Sequence, residues 1–77
     1  MHEEEAILFY PNPTRTKIFI SDNLPLASAA VINLSGQEIN VTCHGNTIEL
    51  NGIASGFYIL KIETIRGEIY MAKVIME

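Results

Sequence analysis

The stretch Gly56-Phe57-Tyr58-Ile59-Leu60-Lys61-Ile62-Glu63-Thr64-Ile65-Arg66-Gly67-Glu68-Ile69-Tyr70-Met71-Ala72-Lys73-Val74-Ile75-Met76 decides the fold class. In its first half Tyr58, Leu60 and Ile62 alternate with Phe57, Ile59, Lys61 and Glu63. In its second half Tyr70, Ala72 and Val74 alternate with Ile69, Met71, Lys73 and Ile75. A side-chain period of two belongs to an extended strand, and no window of the chain sustains the period of a helix. Arg66-Gly67 supplies the reversal between the halves, because glycine accepts the positive φ of a tight turn. Both faces of these strands are largely apolar, so one fills a core and the other exposes more apolar surface than a solvated face needs.

The same grammar extends upstream. Short runs rich in Ile, Val, Phe and Tyr at residues 7–10, 17–21, 29–34, 37–43 and 47–50 join residues 57–64 and 68–76 to give seven expected strands. They are punctuated by Gly, Pro, Asn, Asp and Ser, with Ser35-Gly36 and Gly45-Asn46 placed for tight reversals. Ile39, Val41 and Cys43 fall on one face and Glu38, Asn40 and Thr42 on the other, and Ile48 and Leu50 alternate with Thr47 and Glu49. Seven short strands at this spacing predict an all-β, immunoglobulin-like antiparallel β-sandwich with Greek-key connections. Tyr58, two residues after Gly56 and following a crossover from Leu50, has the spacing of a tyrosine corner, whose hydroxyl bonds a main-chain group a few residues upstream.

Size and charge limit what such a domain can do. At 77 residues the chain holds one domain with a thin core, since a chain of roughly 60 residues buries only about 60% of its unfolded surface. Glu3, Glu4 and Glu5 supply three of the nine acidic residues, which leaves six against five bases in the remainder. Residues 1–6 read as an extended linker or an expression remnant, and residues 7–77 as the folded domain. The five bases are scattered singly, without the stripe that neutralises a phosphate backbone, so nucleic acid is not an expected partner. No run approaches the length of a membrane helix, and the acidic start is unlike a secretory leader.

Four motifs, in order, then carry a resemblance. Tyr10-Pro11-Asn12-Pro13 follows the first apolar run. Val31-Ile32-Asn33-Leu34-Ser35-Gly36-Gln37 is similar to a hairpin motif in which Leu34 and Gly36 are the matching positions, and Asn33 stands where aspartate is common. Leu50 leads to Gly56-Phe57-Tyr58-Ile59-Leu60-Lys61-Ile62, and Lys73-Val74-Ile75 comes close to the end. Together they resemble the C-terminal sorting domain of the type IX secretion system, over essentially all of residues 7–77. The resemblance implies a delivery tag on a larger bacterial cargo. Such a protein passes through the periplasm to an outer-membrane translocon and reaches the cell surface or the medium, usually after a surface sortase removes the tag. It also implies no catalytic residue and no cofactor, and it makes Lys73, Val74 and Ile75 the candidates for translocon binding.

Other readings of single residues are weaker on physical grounds. Tyr10 to Pro13 is first of all a rigid turn, and Lys73 also suits an edge strand as a charge that blocks aggregation. His44 beside Cys43 points to the opposite face of a strand, so the pair does not converge on a metal or share a proton. Cys43 is the single cysteine, and Asp22, the single Asp, sits in Ser21-Asp22-Asn23 without the alternating ligands of a calcium loop. His2 lies in the acidic linker. Asn33-Leu34-Ser35 and Asn40-Val41-Thr42 match the glycosylation triplet by a pattern common by chance. The alternative function is an adhesive or carbohydrate-binding immunoglobulin-like module. Against it, Trp is absent, and Tyr10, Tyr58 and Tyr70 have core or turn roles instead of forming an aromatic platform.

Overall fold

A computed structural model describes residues 8–21 and 24–77. The linker reading of residues 1–6, His2, the start of the first strand at Ile7 and the turn at Asp22 and Asn23 lie outside the described residues. Among the described residues there are seven strands: β1 (Phe9–Tyr10), β2 (Lys17–Ile20), β3 (Leu26–Ile32), β4 (Glu38–His44), β5 (Thr47–Glu49), β6 (Gly56–Thr64) and β7 (Ile69–Met76). Among the described residues there is no helix.

The strands pair antiparallel in one sheet of order β1-β2-β5-β4-β3-β6-β7. Its continuity comes from β4, which is long enough to serve two neighbours. Glu38 to Val41 pair with β3, and Thr42 to His44 pair with β5. The sheet curls until the segment between β1 and β2 meets β7. There Thr14 forms a parallel bridge to Met76, its amide donating to the Ile75 carbonyl at 2.9 Å while the Glu77 amide donates to the Thr14 carbonyl at 2.8 Å.

Register then divides the side chains into rows. On the inner face Val31 lies beside Leu60, and Leu60 beside Ala72. Ala29, Ile62 and Tyr70 form the next row, and Tyr58 faces Val74. Ile18 and Ile48 complete the core from the other half of the sheet, and all these elements share a single buried cluster. On the outer face Ile32, Ile59 and Lys73 form one row, Phe57 and Ile75 another, and Lys61 and Met71 a third.

The turn chemistry accounts for the tight reversals. Gly45-Asn46 joins β4 to β5 with Gly45 at φ 57° and no positive φ at Asn46. That is the pattern of a two-residue hairpin with glycine at its first central position. Asn46 also ties this turn to the end of β2. Its carbonyl accepts the Ile20 amide at 2.8 Å, and its carboxamide donates to the Ile20 carbonyl at 3.1 Å.

Before β6, Gly56 has φ 144°, in a region that side chains disfavour, and this admits the change of direction into the strand. Two residues on, the Tyr58 ring is buried and its hydroxyl donates to the Ala54 carbonyl at 2.8 Å. Replacing Tyr58 by Phe keeps the ring in the core and removes only this bond. Its expected cost is about 1 kcal/mol, read as a lower denaturation midpoint with folding retained. An unchanged midpoint would show that the bond contributes nothing.

Candidate recognition surface

The hairpin between β3 and β4 is organised by Asn33. Its Oδ1 accepts the amides of Ser35 and Gln37, each at 2.9 Å, while its own amide donates to the Gln37 carbonyl at 3.0 Å. The Gly36 amide donates back to the Asn33 carbonyl at 2.9 Å, with Gly36 at φ 88°. A short side chain with a carbonyl oxygen is what such a loop requires, whether Asn or Asp. Sequence reasoning singled out Leu34 and Gly36 and passed over Asn33 as the organising residue. The signal was present, in an Asn placed three residues before a turn glycine.

Leu34, with its neighbours folded into the turn, is 87% exposed. It sits at one end of an apolar groove of about 320 Å³ lined by Ile32, Asn33, Leu34, Phe57, Tyr58, Ile59 and Lys73. Phe57 is 57% exposed, and Ile59, Ile69 and Met71 are also exposed along the outer face of β6 and β7. The cause is geometric. One sheet face closes on the core and among the described residues no further layer covers the other, so the second apolar set of the hairpin stays outside. Lys61, half-buried on this face, reaches Glu38 Oε2 at 3.5 Å.

Lys73 is exposed, opposite Ile59 on this same face. Ile75 is half-buried beside Phe57. Val74 points the other way and is 0% exposed within the core. A folded domain cannot offer the Val74 side chain to a partner, so of the three terminal candidates only Lys73 and Ile75 belong to the surface.

Tyr10-Pro11-Asn12-Pro13 lies against this same end of the sheet. Tyr10 pairs with Phe19, their ring centroids 5.6 Å apart, and both peptide bonds preceding the prolines are cis. Asn12 reaches across to β7, where its Oδ1 accepts the Ile75 amide at 3.0 Å and its Nδ2 donates to the Lys73 carbonyl at 3.4 Å. The first and last motifs of the sequence thus meet in space, while Leu50, Gly56 and Tyr58 serve the interior and the entry to β6.

Cys43 packs half-buried against the core and His44 is exposed on the opposite face. Among the described residues no group of three His, Cys, Asp or Glu side chains is placed to hold a metal ion. None of the buried side-chain nitrogen or oxygen atoms described lacks a hydrogen-bond partner.

These features define a small all-β module whose distinctive surface is an apolar sheet face beside a tied-down chain end. The sequence matches the family model of the secretion system C-terminal sorting domain over residues 8–77, and the chain belongs to this type IX secretion family. No curated protein and no solved structure gives a significant match. Membership implies an upstream cargo fused to the domain, secretion machinery as its partner, and export to the cell surface or beyond. Sorting signals of this family are not known as enzymes. Among the described residues no helix is long and apolar enough to cross a membrane.

Proposed function

We propose that residues 7–77 are a removable address label with no catalysis of their own, which takes a folded cargo from the periplasm to an outer-membrane translocon and is then cut off by a surface sortase within or before the linker at residues 1–6. The family match over nearly the whole chain carries this reading. The docking face in this proposal is the outer side of β6 and β7, with Phe57, Ile59 and Met71 supplying apolar contact and Lys73 a charge at its rim. Its support is the clustering of exposed apolar side chains on one sheet face of a domain too small to cover it. In the same reading the curled sheet is an immunoglobulin-like sandwich with a Greek-key connection. That is supported by the placement of β6 beside β3 instead of beside β5, its predecessor in the chain.

The test is a reporter fused upstream of the full chain in a bacterium with the type IX system. The wild-type fusion is expected at the surface or in the medium, with mass spectrometry showing mature reporter that lacks the domain. A double substitution, Phe57→Ser with Met71→Ser, removes apolar surface from the outer face. It is expected to leave the unfolding transition cooperative and to retain the fusion in the periplasm. Normal delivery of a folded double variant would rule out this face as the docking surface.

A further inference from the structure

We propose that Asn12 is a clamp that sets the C-terminal strand, so that the Tyr10-Pro11-Asn12-Pro13 turn and the Lys73-Val74-Ile75 end form one recognition element; this deepens the sorting reading and rests on it. β7 is an outer strand of the sheet, and the main-chain groups on its free side need partners or water. A carboxamide offers one acceptor and a donor pair, the same functions as a peptide group in a neighbouring strand. Asn12 uses both, accepting the Ile75 amide at 3.0 Å and donating to the Lys73 carbonyl at 3.4 Å across 63 and 61 residues of sequence. The Thr14 amide takes the Ile75 carbonyl at 2.9 Å and the Thr14 carbonyl takes the Glu77 amide at 2.8 Å, which continues the same edge. Asn12 in the turn and Thr14 just after it therefore stand in for a strand along β7 from Lys73 onward.

The clamp lies at the surface, not in the core. Asn12 and Lys73 are both exposed, and Arg15 adds an ion pair to Glu77 at 3.5 Å on the same rim. A partner that reads Lys73 and the Phe57–Ile75 row meets Asn12 in the same footprint. Without the clamp the Ile75 amide and the Lys73 carbonyl lose their partner, the edge of β7 is held by Thr14 alone, and Lys73 loses its fixed position relative to the groove.

Two measurements test this. In the full 77-residue chain, Asn12→Ala is expected to speed hydrogen exchange of the Ile75 amide by about tenfold, the equivalent of one lost hydrogen bond in a local opening. The Leu60 and Ile62 amides should change little. In the reporter fusion the same variant should lose most of its export, and Asn12→Asp, which retains the acceptor for Ile75 but sets a carboxylate oxygen against the Lys73 carbonyl, should fall between Asn12→Ala and the wild type in both exchange protection and export. Unchanged exchange at Ile75 in Asn12→Ala would overturn the clamp. Full export of Asn12→Ala with Ile75 deprotected would overturn its part in recognition. A wild-type fusion retained in the cell would remove the sorting reading and the recognition half with it, whereas the clamp would still stand or fall on the exchange data alone.

Discussion

Removing residues 73–77 is expected to unfold the domain, not merely to trim a contact site. The deleted segment contains Val74 and Met76, 0% and 2% exposed, which close the inner face opposite Tyr58 and Gly56. Burying side chains of this size contributes about 1.5–3 kcal/mol each. The deletion also removes the partners of Thr14, whose side chain is buried and whose amide and carbonyl both bond to this segment. The combined loss rivals the whole stability of a chain this size, about 4–12 kcal/mol at the usual range per residue. A urea titration of the truncated chain should show no cooperative transition, and a native-like midpoint would refute this expectation. Loss of export in such a truncation therefore reports lost folding. The surface role of the terminus is better probed by Lys73→Glu, which reverses an exposed charge and leaves Val74 in the core.

Leu60→Ala should have the next largest effect. Leu60 is fully buried in the middle of β6, between Val31 on β3 and Ala72 on β7. Truncation leaves a cavity in the centre of the sheet, and Ala72 has no side chain able to fill it. Substitutions of this kind cost about 2–5 kcal/mol, which for a domain of this length lowers the melting temperature by about 10 °C or more. Leu60→Met conserves volume and should cost less than about 1.5 kcal/mol. Equal losses for the two variants would mean that cavity formation is not the cause.

Which parts were legible in the sequence follows from the range of the forces involved. Alternation with a period of two marked out the last four strands, and short apolar runs bounded by turn residues the first three, to within a few residues, because burial on one side of a strand leaves a local trace. The reversals at Gly36, Gly45 and Gly67 were equally local, since each needs a positive φ that glycine takes at little cost. The bond from the Tyr58 hydroxyl to the Ala54 carbonyl spans four residues and falls within the same range.

Pairing between distant segments left no such trace. That β4 divides its hydrogen bonds between β3 and β5, and so joins all seven strands in one curled sheet, depends on main-chain groups that are alike at every residue. In β7 both alternating sets are apolar, so the pattern alone does not select the face that turns inward. Closure of the sheet decides it, placing Val74 in the core and leaving Lys73 outside. The meeting of Asn12 with Ile75 arises in the same way: the sequence by itself determined a rigid turn and a terminal strand, and only the curl of the sheet brought the free edge of one within hydrogen-bonding distance of the other.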